Sequence, residues 1–419
     1  MLIEFSVTNF RSIRERQTLS LAAASGKEHR DRNVLAPAAP ATPDVLRSAV
    51  IYGPNAAGKS NFILALRFVH DFVVSSASKG QKGDKIPVVP FLMDTEAVGQ
   101  PSEFELVFIE NDVRYQYGFR LTSQRVEAEW LIAHPKGSPQ RWFERKADSD
   151  DWGFGPNFRG QRKVWQEATR DNALFLSTAV QLNAEQLGPV FDWFRRRLRI
   201  INPYARVTPD FSISQCVGNT ALRSRIIEFL AMADLGIGDV AVENRKFSAS
   251  KFVTRLPEEV RQQMLKDMDD QEVTEIRFLH RAPDGRDVYL DIEDESGGTQ
   301  KLFALAGPWL DVLANGWILV IDELDTSLHP LLMRQLVGMF HDPALNTKGA
   351  QLVFSTHDTS ILDREIFRRD QIWFVEKDRN LQSHLYPLTE FSPRKEENFA
   401  RGYLQGRYGA VPFVGELKV

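Results

Sequence analysis

The sequence predicts an α/β fold that combines a mixed sheet with an antiparallel β layer. Two continuous apolar segments, Ser48–Tyr52 and Ile318–Ile321, predict buried strands of a parallel sheet, because such strands read as unbroken apolar runs. From Glu103 onward, apolar and polar residues alternate on both sides of a short Asn111-Asp112 turn, which is the pattern of an antiparallel hairpin. Segments with helical periodicity lie between these regions and complete the α/β class.

The composition excludes several classes of protein. The 419 residues exceed one ordinary domain of ~150 residues, and 43% hydrophobic with 26% charged residues is a globular balance. A single cysteine, Cys216, excludes an intrachain disulfide and a cysteine-based zinc site and favours a reducing cytoplasm. We expect no signal peptide and no membrane span. The net charge of −4 argues against a wholly basic nucleic-acid coat protein, but leaves a local basic groove open.

The remaining elements follow from periodicity along the chain. Ile3, Phe5 and Val7 alternate with polar residues and predict a half-buried strand, and a proline-rich stretch after it predicts a surface loop. Apolar residues at helical spacing predict a helix over 61–74. Further along, the patterns predict helices at 172–199, 220–232, 258–268 and 301–313, and strands at 275–279, 288–293 and 351–355.

Directly after the first apolar strand, residues 53–60 (GPNAAGKS) match the phosphate-binding loop (P-loop) pattern GxxxxGK[ST]. The glycines let backbone N–H groups turn inward around phosphate oxygens, and the N-terminus of the following helix favours anions. Lys59 supplies a cation for the phosphates, and Ser60 offers a hydroxyl to Mg²⁺. The candidate nucleotide-binding residues of this loop are Gly53, Pro54, Asn55, Ala56, Ala57, Gly58, Lys59, Ser60 and Asn61.

The second apolar strand ends in two acids, Asp322 and Glu323. Ligands of parallel sheets sit at the carboxyl ends of the strands. We therefore expect Asp322 to hold Mg²⁺, mostly through water, and Glu323 to polarise the attacking water as general base.

Three further motifs accompany these acids. Residues 296–300 (SGGTQ) resemble the ABC signature LSGGQ, so Ser296, Gly297 and Gly298 are candidate phosphate contacts, and an ordinary helix N-cap at Ser296 is the alternative. Residues 324–330 (LDTSLHP) look like the D-loop of ABC ATPases. His357 follows the strand QLVFST and is a candidate switch residue for the γ-phosphate, although Thr356 or Asp358 could instead cap a helix there.

This order of motifs resembles the ABC-type ATPase superfamily, and the early NFRSI resembles its SMC, RecF and OLD branch. The resemblance extends to bacterial AAA-family ATP-binding proteins of the RloA and AriA kind, through GPNAAGKS, an S-x-GT signature, DELDTSLHP and the late YLQGRYGAVP. It implies an ABC-type P-loop ATPase head with an inserted helical subdomain. The expected division is a first ATPase lobe over 1–180, a helical insertion over 181–274 and a second lobe over 275–419.

The resemblance also implies an activity and partners. It implies ATP hydrolysis with Mg²⁺. It also implies that Arg11 contacts the phosphates, and a surface salt bridge is the alternative for this residue. In the family the signature of one subunit covers the nucleotide of the other, so the resemblance implies at least a homodimer with composite sites. It implies a sensor or regulatory ATPase of an anti-phage defence system, acting on a separately encoded effector nuclease or toxin. Only 62 residues follow His357, and they show no acidic pattern of the Toprim nuclease that OLD proteins carry.

Several alternatives stay open at the level of sequence. A RecF-like DNA maintenance ATPase is the main alternative function, and a nucleotide-binding scaffold with little turnover is another. Two basic stretches are candidate contacts for DNA, RNA or an acidic partner, or else solvated surfaces: Arg195, Arg196, Arg197 and Arg199, and Arg394, Lys395, Arg401 and Arg407. The late motif at 403–412 is either a packing element or a docking surface, and Gln181 is one candidate for a Q-loop glutamine.

Overall fold

The computed structural model describes residues 1–147, 149, 152–201, 207–233, 236–246, 257–262, 272–393 and 397–412. These residues belong to two compact units. The first unit combines Met1–Ala205, Val312–Asp325 and Met333–Val419, and the second combines Arg206–Asp311 and Thr326–Leu332.

The strands of the described residues are β1 (Leu2–Thr8), β2 (Gln17–Ser20), β3 (Val34–Leu35), β4 (Val45–Leu46), β5 (Ser48–Tyr52), β6 (Ser102–Glu110), β7 (Val113–Leu121), β8 (Val126–His134), β9 (Gln140–Lys146), β10 (Gly153–Phe154), β11 (Leu198–Ile200), β12 (Ile237–Lys246), β13 (Glu272–Arg281), β14 (Asp287–Asp291), β15 (Ile318–Ile321), β16 (Gln351–Ser355), β17 (Ile372–Lys377) and β18 (Ser383–Pro387).

The α-helices of the same residues are α1 (Arg30–Asn33), α2 (Lys59–Ser75), α3 (Thr95–Val98), α4 (Arg162–Ala168), α5 (Phe175–Gln181), α6 (Gly188–Asp192), α7 (Asp210–Cys216), α8 (Thr220–Ala231), α9 (Gly297–Asn315), α10 (Pro330–His341) and α11 (Phe399–Leu404). Residues 258–262 are also helical, and the rest of the helix predicted over 258–268 lies outside the described residues. In the part of the chain that the structure covers, no helix combines the length and apolar character that crossing a bilayer requires.

A seven-stranded antiparallel sheet forms the β layer of the first unit, in the order β10-β9-β8-β7-β6-β1-β2. Its central hairpin pairs Glu110 with Val113 across the predicted two-residue turn. Asn111 and Asp112 adopt φ angles of 49° and 57° there, the left-handed conformation that tight hairpin turns require and that Asn and Asp tolerate best. The antiparallel layer that the alternating pattern predicts is therefore present.

A six-stranded mixed sheet, in the order β11-β15-β16-β5-β17-β18, forms the second layer of the first unit. The strands β11, β15, β16, β5 and β17 run parallel, and β18 pairs antiparallel with β17. The two strands that the sequence predicts as buried, β5 and β15, are buried at every residue. Together with the antiparallel layer, this mixed sheet confirms the predicted α/β fold with a mixed sheet and an antiparallel β layer.

Helix α2 lies in the core that joins the two sheets of the first unit. Its apolar side chains belong to one buried cluster with Phe5 of β1 and Ile51 of β5. Aromatic pairs fix it against the antiparallel layer with ring centroids 5.1 to 5.8 Å apart: Phe5–Phe62, Phe68–Phe104 and Phe72–Phe119. Truncating one buried phenylalanine typically costs about 3–5 kcal/mol, so this packing holds α2, and the loop at its N-terminus, firmly in place.

The second unit contains the antiparallel strands β12, β13 and β14 together with α7 and α8. Strand β12 lies within 181–274, the segment for which the resemblance implied a helical insertion, so that segment contains strand as well as helix. A bulge in the pairing between Ile237 and Asp239 interrupts the period-two pattern. The apolar residues Ile237 and Val240 are buried three positions apart, a spacing that does not indicate a strand.

Candidate nucleotide-binding site

The P-loop connects the carboxyl end of β5 to the N-terminus of α2, and two of its glycines have no room for a side chain. A Cβ on Gly58 would lie 2.2 Å from Ser383 Oγ, and the φ of Gly58 is +118°. A Cβ on Gly53 would lie 2.3 Å from the carbonyl oxygen of Val375. Contacts below 3.0 Å require the neighbours to move. Both glycines are therefore needed for this loop conformation.

Serines from distant parts of the chain hold the loop from outside. Ser383 Oγ donates to the carbonyl oxygen of Ala57 at 2.6 Å and lies 2.8 Å from Ser12 Oγ. Asn61 Nδ2 donates to Ser12 Oγ at 2.7 Å. Ser12 is the serine of the NFRSI motif, to which the motif pattern gave no role in holding the loop. No local pattern indicates Ser383.

Lys59 is the first residue of α2 and is buried in the loop. Its Nζ donates to the carbonyl oxygens of Gly53 and Pro54 at 2.8 and 3.0 Å. Burial lowers the pKa of Lys59 from 10.5 to about 8, although the nearby acids Asp322, Glu323 and Asp325 oppose this change. The ammonium group therefore lies within electrostatic range of the acids that follow β15.

The two acids after β15 are organised by one serine at the end of the neighbouring strand. Ser355 Oγ donates to Asp322 Oδ1, and the backbone N–H of Glu323 donates to Ser355 Oγ at 2.8 Å. Glu323 has a φ of +49°. Such a left-handed backbone is uncommon for a residue other than glycine and costs of order 1–2 kcal/mol, and strained backbone of this kind clusters at functional sites.

His357 follows β16 and faces the same groups. Its backbone N–H donates to Asp325 Oδ2 at 3.3 Å. Burial lowers the pKa of His357, the Lys59 ammonium lowers it further, and the acids Asp325, Glu323 and Asp322 oppose both effects. The structure thus brings Lys59, Asp322, Glu323 and His357 together at the carboxyl ends of the adjacent strands β5, β16 and β15.

The capping alternative for the residues beside His357 is also realised. Asp358 Oδ1 accepts the backbone N–H of Ser360 at 2.8 Å and caps the short turn over Thr359–Ile361. Thr356 Oγ1 accepts the backbone N–H of Asp358 at 3.0 Å. His357 takes no part in this cap, so its imidazole is not committed to the turn.

Arg11 lies in the turn after β1, with a φ of +52°. Its backbone N–H donates to the carbonyl oxygen of Val89 at 2.9 Å, and its guanidinium lies 5.7 Å from the centre of the Phe10 ring. The neighbouring Ser12 reaches the P-loop as described above. The turn therefore lies beside the loop, while a phosphate contact for Arg11 stays a prediction.

The signature residues lie in the second unit. Ser296 Oγ accepts the backbone N–H of Thr299 at 3.1 Å and lies 2.9 Å from Thr299 Oγ1, so Ser296 caps helix α9 as the alternative interpretation required. Lys301 Nζ donates to the carbonyl oxygen of Thr326 at 2.6 Å, which joins this helix to the segment resembling a D-loop. Gly297 and Gly298 open the helix beside that segment.

Three of the four arginines in the first basic stretch have partners within the chain. Arg197 pairs with Glu110 at 2.8 Å and Arg196 with Asp192 at 3.4 Å. The guanidinium of Arg199 lies 4.6 Å from the centre of the Trp317 ring. These contacts favour the solvated or structural interpretation of this stretch over a nucleic-acid contact.

The late motif, residues 403–412 (here the tail motif), packs on the mixed sheet. Tyr403 Oη donates to the carbonyl oxygen of Ala410 at 2.8 Å, and Tyr386 Oη of β18 donates to that of Tyr408 at 2.9 Å. The ring of Tyr403 lies 5.8 Å from that of Tyr52, the last residue of β5. The tail motif is therefore a packing element. Arg407 pairs with Glu397 at 3.0 Å, and Arg394 and Lys395 lie outside the described residues.

Gln181 is the last residue of α5, which contacts the far end of α2. Ser177 Oγ of α5 donates to the carbonyl oxygen of Val73 at 2.6 Å. With a rise of 1.5 Å per residue, Val73 is ~20 Å along α2 from Lys59. This position does not favour Gln181 as a residue of the nucleotide site.

The lowered pKa of Lys59 predicts how nucleotide affinity depends on pH. Phosphate binding needs the ammonium form, and that form is lost as the pH rises through about 8. We expect the affinity for ATP to fall about tenfold between pH 7 and pH 9, measured by equilibrium binding. Lys59→Arg keeps its charge over this range and is the matched control. If the ATP affinity of the native protein depended on pH no more than that of Lys59→Arg, Lys59 would not be the phosphate-binding cation.

The site matches one class of protein. A P-loop between a buried parallel strand and a helix, with paired acids and a histidine on the neighbouring strands, is the arrangement of a P-loop ATPase. The family model described as "AAA domain, putative AbiEii toxin, Type IV TA system" matches residues 48–363, which is most of the sequence. The chain therefore belongs to this AAA-domain family.

Solved structures that are similar to this chain include three SMC head domains. The SMC head domain from Thermotoga maritima has a TM-score of 0.41 at 16% identity, covering 92% of this chain and 98% of that chain. The SmcHead bound to the C-winged helix domain of ScpA has a TM-score of 0.41 at 12% identity, covering 92% and 97%. The third is the Smc head domain with an extended coiled coil, bound to the C-terminal domain of ScpA derived from Pyrococcus furiosus. It has a TM-score of 0.40 at 10% identity, covering 92% of this chain and 96% of that chain. No curated protein matches the sequence.

Proposed function

We propose that this protein binds ATP with Mg²⁺ and hydrolyses it to ADP and phosphate. The observation that carries the proposal is the convergence of Lys59, Asp322, Glu323 and His357 at the carboxyl ends of three adjacent parallel strands. Phosphoryl transfer to water is driven by positioning and charge, without a covalent intermediate on the protein. At one edge of the sheet this arrangement supplies a cation (Lys59), a carboxylate that can bind a metal ion (Asp322) and a general base (Glu323).

The residues present fit the nucleotide and its metal. The P-loop keeps its backbone open because Gly53 and Gly58 carry no side chain, and α2 directs its N-terminus at the loop. Ser60 and Asp322 would hold Mg²⁺, which supplies charge neutralisation on the phosphates when bound. Glu323 would accept the proton of the attacking water, and His357 and Arg11 would donate to phosphate oxygens.

We further propose that the catalytic unit is a homodimer. The signature residues Ser296, Gly297 and Gly298 would complete the nucleotide site of the partner subunit. A twofold axis would then create two identical composite sites. Support comes from the position of Ser296 and Gly297, which are exposed at the N-terminus of α9, because helix N-termini favour anions.

The biological role that we propose is that of a cytoplasmic regulatory ATPase in an anti-phage defence system. The matching family is named for a toxin of a type IV toxin–antitoxin system, and the motif set resembles the RloA and AriA kind of ATPase. In this role ATP turnover would control a separately encoded effector nuclease or toxin.

Two measurements test these proposals. Phosphate release by the purified protein should require Mg²⁺, and the activity per mole should rise with protein concentration as dimers form. An activity that is independent of concentration in a monomeric protein would contradict the composite site. Affinity purification of Glu323→Gln from the native host, followed by mass spectrometry, should recover an effector nuclease or toxin. Recovery of DNA-repair proteins with chromosomal DNA would instead support the RecF-like role.

A further inference from the structure

The hairpin β17–β18 lies against the P-loop on one of its faces. The carbonyl oxygen of Val375 closes the space beside Gly53, and Ser383 Oγ closes the space beside Gly58. Ser383 is only 2% exposed, and its hydroxyl donates to the carbonyl oxygen of Ala57 at 2.6 Å. The hairpin is thus the surface against which the loop takes its conformation.

The tail motif contacts the opposite face of the same hairpin. Ser383, whose side chain meets the loop, pairs with Lys377 across the hairpin, so these two side chains share a face. Successive residues of a strand point to opposite faces, so Phe374 and Glu376 lie on the other face. The ring of Phe374 lies 5.4 Å from that of Tyr403 at an interplanar angle of 16°. Glu376 Oε2 accepts the backbone N–H of Ala410 at 2.9 Å.

Strand β18 repeats this two-sided arrangement. Ser383 and Tyr386 are three positions apart and lie on opposite faces of the strand. Tyr386 Oη donates to the carbonyl oxygen of Tyr408 at 2.9 Å. A Cβ on Gly409 would lie 2.7 Å from that hydroxyl, so the tail motif, like the P-loop, leaves no room for a side chain where it meets β18.

We propose that Ser383 is a positioning residue that fixes the P-loop through Ala57, and that the tail motif sets how firmly it does so by bracing the other face of the hairpin. This inference rests on the proposed function, because it concerns ATP binding at the same site. Ser383 touches the loop backbone and acts on the nucleotide only through it. Loss of the hydroxyl therefore weakens ATP binding and leaves the base and the metal ligand in place.

The test compares Ser383→Ala with Ser20→Ala, a strand serine of the antiparallel sheet whose Oγ donates to Glu4 at 3.0 Å. For Ser383→Ala we expect the KM for ATP to rise about fivefold, which is the worth of one neutral hydrogen bond, with kcat changed by less than about twofold. The Kd of a fluorescent ATP analogue, measured in a Glu323→Gln background, should rise by the same factor. Ser20→Ala should change neither quantity.

A second pair keeps the inference testable if Ser383→Ala does not fold. Tyr386→Phe removes the hydroxyl that holds the tail motif, and Tyr115→Phe is its control in the antiparallel sheet. We expect Tyr386→Phe to raise the Kd about twofold and Tyr115→Phe to leave it unchanged. Unchanged affinity in Ser383→Ala and Tyr386→Phe, or a lower kcat at constant KM, overturns the inference. A native protein that binds no ATP, or that binds as tightly after Lys59→Ala, overturns the proposed function as well.

Discussion

Replacement of Glu323 by glutamine is expected to lower the rate of ATP hydrolysis by about 100-fold or more while ATP binding is retained. A general base typically contributes 10²–10⁴-fold to a rate, and an amide cannot accept the proton of the attacking water. Glutamine has the same shape as glutamate, so the backbone hydrogen bond from residue 323 to Ser355 Oγ is preserved. Asp322 should also stay in position in the variant, because its carboxylate accepts a hydrogen bond from Ser355 Oγ that does not involve the side chain of residue 323.

The same variant should change the oligomeric state when ATP is present. If hydrolysis opens a closed dimer, blocking the base should accumulate that dimer, and size-exclusion chromatography should show it with ATP and Mg²⁺ but not with ADP. Glu167→Gln, an exposed residue of α4 that pairs with Lys163, is the matched control. Hydrolysis at the native rate by Glu323→Gln would show that another group activates the water.

Replacement of Lys59 by alanine is expected to weaken ATP binding about 100-fold. Hydrogen bonds to charged groups contribute about 1.5–3 kcal/mol each, and tenfold in affinity is about 1.4 kcal/mol. The buried ammonium is the cation that lies inside the loop, because its Nζ donates to the carbonyl oxygens of Gly53 and Pro54. Binding of phosphate would exchange these neutral acceptors for charged ones.

The fold should survive this change, and that separates a binding defect from unfolding. Burial lowers the pKa of Lys59, so its charge is less favourable in the folded protein than in water. Removal of this charge therefore does not deprive the core of a net stabilising interaction. Lys82→Ala in the exposed loop after α2 is the control. ATP affinity that is equal in Lys59→Ala and Lys82→Ala, measured by equilibrium titration, would exclude the loop as the phosphate site.

Local sequence patterns predicted the parts of the site that are continuous in the chain. The strand β5, the P-loop and α2 are consecutive, and their apolar run, glycine spacing and helical period are visible within 48–75. The same holds for β15 and its two acids. Each of these segments carries its signal within a few consecutive residues, so a pattern over that length is sufficient to recognise it.

The parts that depend on long-range contacts were not visible in the sequence. Ser12 and Ser383 meet across 371 positions, and the position of Ser355 between the two acids depends on the pairing of β15 with β16. No local period connects such residues. The tail motif was recognised as a motif, but only its contacts with β17 and β18 decided between packing and docking.

The order of strands in the mixed sheet has a consequence for how the protein is made. Strand β5 comes from the first eighth of the chain, yet both of its neighbours, β16 and β17, come after residue 350. During synthesis the P-loop sequence therefore leaves the ribosome long before the strands that flank it. Pairings between such distant segments form late, because the loop-closure entropy must be overcome first. Nucleotide binding that depends on these contacts would thus begin only after β16 and β17 have been synthesised.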